Sequence, residues 1–188
     1  MMRKFYRLLD DLYILGRWHL DDPMIDEGCE HWEFTMGRVV RPGLMPIVDV
    51  KIPGVPLDYT PTLLSVPTAS PRLVSAIAPL YGDDVQRIPI RLANREGYEI
   101  INVIQLLPCL DEAKSEFTKW TEQDRRPDLL GGYHSVPRLR VDVSLIPEDV
   151  NFLRVWGWEV ALLVSEAVVD AFKRINATGA IFEPTFDG

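Results

Sequence analysis

The alternation of apolar and polar residues sorts the chain into two kinds of segment. Runs with a period of two, rich in β-branched residues, lie at 5–9, 47–52, 85–92, 98–107, 139–143, 152–155, 159–164 and 181–182; this is the signature of strands with one face buried. The runs 85–92 and 98–107 are separated by a short polar stretch ending in Gly97, which predicts an antiparallel hairpin. Two segments carry a period near 3.6 instead. Ser70 and Pro71 form a cap and first-turn pair ahead of Leu73, Val74, Ile77 and Ala78, with Gly82 available to close the helix. From Ser165, Val168, Val169, Phe172 and Ile175 share one face while Asp170, Lys173 and Arg174 share the other, and the pattern ends before Gly179. Residues 111–124 read as a short helix weakened by Ser115, Thr118 and Thr121. The expected fold is α+β, with a mostly antiparallel sheet and two main helices packed on it.

The first third is irregular, because Pro23, Pro42, Pro46, Pro53, Pro56 and Pro61 interrupt any long ladder. No repeat, low-complexity tract or Gly/Ser linker divides the chain, and 188 residues suit one domain spanning 1–188. Trp156 and Trp158 flank Gly157 between two strand runs, which predicts a bulge or tight turn with one ring on each face.

Composition changes the picture mainly through charge. The net charge is −8, and eight acids (Asp10, Asp11, Asp21, Asp22, Asp26, Glu27, Glu30 and Glu33) stand against Arg17 alone between positions 10 and 33. Nucleic acid and anionic membranes are disfavoured as partners, since both are bound by displacing counterions with Lys and Arg. A basic protein is the partner that such a segment attracts; a solvated face serving solubility is the plainer reading. Trp18 and Trp32 lie within the same segment, and large aromatics are frequent interface anchors. The candidate partner-binding residues are therefore Trp18, Asp21, Asp22, Asp26, Glu27, Glu30, Trp32 and Glu33.

The chain carries little that points to reaction chemistry. It has no phosphate-binding glycine loop and no Gly-x-Ser-x-Gly elbow. Cys29, His31 and the upstream His19 could be imagined around a metal, but a single Cys-x-His step lacks the second pair that a zinc site uses. Cys29 reads better as a small buried hydrophobe, and neither metal nor cofactor is expected. A cysteine hydrolase built from Cys109, His134 and an acid such as Asp111 is the enzymatic alternative, although Cys109 follows an apolar run that reads as core. Two cysteines without close spacing suit a reducing compartment. The apolar start is cut by Arg7, Asp10 and Asp11, and the longest apolar run, 160–164, is far short of a membrane span. A cytoplasmic protein is expected.

Taken in order, several short motifs resemble a known family. They are Gly16-Arg17-Trp18-His19-Leu20, Val66-Pro67 leading to Ser70-Pro71-Arg72-Leu73-Val74, Asp84-Val85-Gln86, Ile88-Pro89-Ile90, Tyr98, Asn102-Val103, and Cys109-Leu110-Asp111 with Ser115. Trp120, Trp156-Gly157-Trp158, Ser165-Glu166 and the stretch from Gly179 to Pro184 complete the series. Together they resemble immunity family eleven of bacterial polymorphic-toxin systems, formerly a domain of unknown function. The motifs are packing and turn signatures and contain no catalytic residue. The resemblance implies a small cytoplasmic protein, without enzymatic activity, that binds a cognate toxin and neutralises it, by steric occlusion of the toxin's active site. The acidic segment adds the expectation that the toxin is basic, as a nuclease domain is. A regulatory module that binds some other endogenous protein is a further alternative, and the sequence is compatible with a homo-oligomer.

Overall fold

Alternate residues of the central strands enter different cores, and that alternation sets the architecture. The structure, a computed structural model, describes residues 3–25 and 29–187. In chain order its strands are β1 (Phe5–Asp10), β2 (His19–Leu20), β3 (Ile47–Val48), β4 (Val50–Ile52), β5 (Tyr59–Pro61), β6 (Pro67–Ala69), β7 (Val85–Pro89), β8 (Arg91–Leu92), β9 (Glu99–Val103) and β10 (Leu106–Leu107), followed by β11 (Glu116–Lys119), β12 (Tyr133–Arg138), β13 (Phe152–Val155), β14 (Trp158–Ser165) and β15 (Ala180–Pro184). The helices are α1 (Pro71–Ile77) and α2 (Glu166–Arg174).

One sheet has the order β10-β13-β14-β1-β15 and is antiparallel except where β10 runs beside β13. A second, wholly antiparallel, has the order β5-β6-β9-β7. The ribbons β11-β12, β2-β4 and β3-β8 complete the pairing. The protein is thus α+β, with a mostly antiparallel arrangement.

Both helices pack between the two main sheets. Leu8, Phe152, Leu162 and Val164 from one sheet meet Tyr59, Ala69, Ile101 and Val103 from the other, with Leu73 and Ile77 of α1 and Val168 and Phe172 of α2 filling the space. Intervening positions face away. Phe5, Leu153 and Leu163 build a second core with Cys109, Tyr133 and Val136, while Ile88 and Ile100 build a third with Trp18, Leu20, Phe34 and Val48. Burying side chains on both faces explains why the central runs contain so little polar residue.

Most elements lie where the patterning puts them. Ser70 Oγ accepts from the Leu73 amide at 3.2 Å and so caps α1, and Gly82 follows with a φ of +51°. Ser165 stands before α2, but its hydroxyl donates to Asn151 Oδ1 at 2.7 Å and does not cap the helix. Gly157 turns β13 into β14 with a φ of +78°, leaving Trp156 exposed and Trp158 against the second core. Gly179 is required by close approach: its φ is +98°, and an added Cβ would lie 2.0 Å from the Tyr59 carbonyl oxygen.

Three expectations need correction. Residues 139–143 form no strand; the strand is β12, just before, because Asp142 Oδ1 accepts from the Ser144 amide and hydroxyl and starts a 3-10 turn at Val143–Leu145. Residues 111–124 form no helix. There Thr118 joins β11 against β12, and Thr121 with Asp124 caps a separate 3-10 turn. The run 47–52 divides after Val48, β3 pairing with β8 and β4 with β2, since neighbouring prolines leave no room for one long ladder.

Candidate functional site

The acidic segment is largely occupied in building local structure. Trp18 is 2% exposed, its Nε1 donates to Thr60 Oγ1 at 2.9 Å, and its ring packs beside Tyr98. It belongs to the third core and is not a contact residue; Asp10 and Asp22 beside it bond within the fold and do not keep the ring at the surface. Trp32 is 45% exposed, with the Arg38 guanidinium over its ring. Glu30 and Glu33 cap the 3-10 turn His31–Thr35, where Glu33 accepts from the Glu30 amide and also pairs with Arg38 at 2.8 Å. Asp21 accepts from the Asp22 amide and faces Lys51 at 3.7 Å. Asp26 and Glu27 lie outside the described residues. Beyond Arg17, which the linear count already includes, the structure brings Arg38 to Glu33 and Lys51 to Asp21 from outside the segment.

Three of these acids shape loops that display apolar side chains. Asp22 Oδ1 accepts from the Thr62 hydroxyl at 2.6 Å and from the Leu64 amide at 2.9 Å. This holds the 62–65 turn, in which Ser65 adopts the left-handed conformation at φ +66° and Leu63 and Leu64 stand out to solvent. Arg17 donates from Nη1 to Asp10 Oδ1 at 2.5 Å and to the Asp11 carbonyl at 2.7 Å, and Asp11 Oδ1 accepts from the Tyr13 amide. The loop so fixed exposes Leu12, Leu15 and Tyr13, the last by 86%.

Between the two loops lies a cleft of about 860 Å³. It opens because β1 pairs with β14 only at Phe5, Tyr6 and Arg7, then continues along β15 as far as Asp10, so that beyond Arg7 no ladder joins β1 to β14. Leu12, Tyr13, Leu63 and Val160 line its mouth, and Val160 is 61% exposed. Tyr59, Asp10 and the buried Arg154 line its interior. Burial raises the Tyr59 hydroxyl above its ordinary range and also holds the Asp10 carboxyl up, more strongly than the neighbouring Arg17 draws it down. Several well-exposed apolar side chains around one concavity are the usual mark of a contact surface.

A second cleft of about 800 Å³ is lined by Arg3, Lys4, Lys114 and Arg140. Its cations are engaged: Arg140 with Asp187, Lys114 with Asp111, Lys4 with Glu166, and Arg3 with the Pro147 and Val150 carbonyls.

No family model matches the chain, and no curated protein matches it. What the chain can do is therefore argued from its own side chains.

The hydrolase constellation is not assembled. Cys109 is fully buried in the second core, and burial pushes its thiol up to about 12, so it is not a thiolate at neutral pH. His134 points the other way, since on β12 Tyr133 faces that core and His134 is exposed with its ring edge-on to Trp120. Among the described residues no group of three His, Cys, Asp or Glu is placed to hold a metal ion. A Cys29→Ser variant, which leaves Cys109 as the remaining thiol, is expected to resist a thiol reagent until denaturant is added; rapid labelling in the native state would contradict the burial.

Sequence reasoning missed the rim and Arg154. Their signals are present: Leu12, Tyr13 and Leu15 sit between Asp11 and Gly16, both turn formers, and Arg154 shares strand parity with Phe152, an inward position.

Proposed function

We propose that this protein is an immunity protein that binds a cognate secreted toxin and neutralises it by covering the toxin's active site, and that it does so in the cytoplasm. The observation that carries the reading is the apolar rim of Leu12, Tyr13, Leu63 and Val160 around the cleft, held open by Asp10, Asp11, Asp22 and Arg17. An exposed tyrosine such as Tyr13 is the kind of anchor from which protein interfaces draw most of their energy, and the aliphatic side chains around it supply apolar area and exclude water. The resemblance of the ordered sequence motifs to immunity family eleven points to the same reading. Asp21, beside the turn-holding Asp22, and the more distant Glu30 and Glu33 supply the acidic side of the contact, which speeds encounter with a basic toxin domain such as a nuclease, and the exposed Trp32 adds apolar contact area beside them. No helix of the described residues is long and apolar enough to cross a membrane.

The test is co-expression with the toxin encoded beside this gene, with protection of growth as the readout. Val160→Arg is expected to weaken binding about a hundredfold, because it sets a bulky unpaired charge in the apolar rim that the partner covers, while the purified variant melts at the wild-type temperature because Val160 is exposed. Asp21→Asn together with Glu30→Gln is expected to slow association and flatten its salt dependence, leaving dissociation nearly unchanged. Full protection by Val160→Arg, or substrate turnover by the isolated chain, would overturn the proposal.

A further inference from the structure

Arg154 poses a problem in electrostatics that the rest of the chain leaves unsolved. It occupies an inward position of β13 and is 2% exposed. Its Nη1 donates to the Glu159 carbonyl at 2.7 Å and its Nη2 reaches the Phe34 carbonyl at 3.4 Å, while the buried Nε has no hydrogen-bond partner. Among the described residues no carboxylate lies within ion-pair distance of this guanidinium. Carbonyl oxygens satisfy two of its nitrogens but bring no opposite charge. Burial lowers its pKa to about 10, which still leaves it protonated at neutral pH. A buried cation without a counter-charge costs several kcal/mol, and a buried unsatisfied donor in a native structure calls for an explanation.

The nearby acids are committed elsewhere. Asp10, also in the cleft, is bonded to Arg17. The Glu159 carboxylate accepts from the Gly157 amide, and Glu183 faces Arg7 at 3.8 Å. Arg7, a further lining residue, likewise has a buried Nε without a partner.

We propose that Arg154 receives a carboxylate from outside the chain, carried on the side chain of an Asp or Glu in an extended segment of the protein partner. The proposal rests on the reading above that the rim receives a protein, and it names the chemistry inside the cleft. Three features favour a polypeptide over a small anion. The cleft, at about 860 Å³, far exceeds the volume of a single carboxylate ion. Its mouth is apolar, and suits the flanking residues of such a segment. The edge of β1 beyond Arg7 has no ladder to β14, so an extended segment reaching the cleft there finds unpaired backbone donors and acceptors. Charge complementarity places the acid: Nε is the one nitrogen of the Arg154 fork with no partner, each Nη keeps a further N–H beyond its carbonyl bond, and a carboxylate is the strongest neutral-pH acceptor for such a fork.

The experiment follows the Nε–Hε resonance of Arg154 in the full-length protein by nitrogen-15 NMR, without any toxin present. The probe is N-acetyl-Leu-Glu-Leu-amide, its counterpart with Gln in place of Glu is the control, and acetate is the third arm. The Glu peptide is expected to move the Arg154 resonance saturably and to bind about tenfold tighter than the Gln peptide, the ratio that one charge-assisted bond of about 1.4 kcal/mol supplies. Arg154→Lys, which keeps the charge but removes Nε and the planar fork, is expected to abolish that preference. Because the wild-type resonance is itself the readout, the test stands even if Arg154→Lys folds poorly. An unmoved resonance, equal binding of the two peptides, or acetate acting as strongly as the Glu peptide would each overturn the proposal, the last by assigning the site to free small anions. Toxin protection without peptide binding would overturn this inference alone; peptide binding without protection would overturn the immunity reading alone.

Discussion

Phe172→Ala is expected to destabilise the protein by about 3 to 5 kcal/mol, the range for removing a fully buried phenylalanine ring. Phe172 is 1% exposed on α2, edge-on to Phe182 of β15 at 5.2 Å and to Tyr59 of β5 at 6.2 Å. One ring therefore joins a helix to both main sheets, and the cavity left behind would be walled by side chains from three elements that can collapse into it only in part. Against a net stability of about 5 to 15 kcal/mol for a typical domain, this is a large share. The measurement is denaturant unfolding, with a lower midpoint at an unchanged slope. A loss below about 1 kcal/mol would mean that α2 does not clamp the two sheets.

Asp58→Asn is expected to cost about 2 to 4 kcal/mol, because it removes a buried carboxylate while leaving its donors in place. Asp58 Oδ1 accepts from Ser70 Oγ at 2.8 Å and Arg72 Nε at 3.1 Å; Oδ2 accepts from Arg72 Nη2 at 2.5 Å and from the Thr178 amide at 2.9 Å. The same Ser70 hydroxyl caps α1, and Thr178 lies just beyond α2. The carboxylate thus ties the start of α1 and the chain just beyond the end of α2 to the chain entering β5. Burial alone would raise its pKa, but the hydrogen bonds from Arg72, Thr178 and Ser70 outweigh burial and hold it below the ordinary 3.8. A carboxyl with a lowered native pKa contributes stability that is complete above its unfolded value and is lost as pH falls through the native one. The difference in stability between wild type and Asp58→Asn should therefore shrink as pH drops below about 4. Asp10 and Asp84, whose carboxyls burial raises, act with the opposite sign in both proteins and cancel in that difference. A difference that stays constant down to low pH would exclude the charged network as its origin.

The sequence and the structure agree most where local chemistry is decisive. The hairpin of β7 and β9 follows from two β-branched runs around a glycine-containing connection, and its register from Val85↔Val103 to Pro89↔Glu99 holds without slippage. The apolar stripes of both helices are the faces that they bury. Agreement fails where pairing over long distances overrides local preference. Residues 139–143 alternate as a strand should, yet the neighbours that β12 finds in β11 end just before them. β10 lies in the run expected to prolong the hairpin but crosses to β13 in the other sheet.

The candidate surface shows the same division more sharply. Composition marked 10–33 as acidic, and local geometry engages the described acids with loop amides, cations and caps, while their neighbours Leu12, Tyr13 and Leu15 stand exposed. Trp18 and Trp32 look alike in the chain, both aromatic among acids. One is core and the other is surface because β2 brings Trp18 beneath the four-stranded sheet, while the 3-10 turn at His31–Thr35 places Phe34 inward and Trp32 outward.

The chain by itself determined the class of fold, the two amphipathic helices and the absence of a familiar catalytic motif, because periodicity, caps and short spacings are written within a few residues. Only the tertiary structure decided where β1 parts from β14, and that Arg154 is buried with no carboxylate of the described residues within ion-pair distance. Those properties depend on residues more than a hundred positions apart meeting in space, and no local pattern encodes the distance between them.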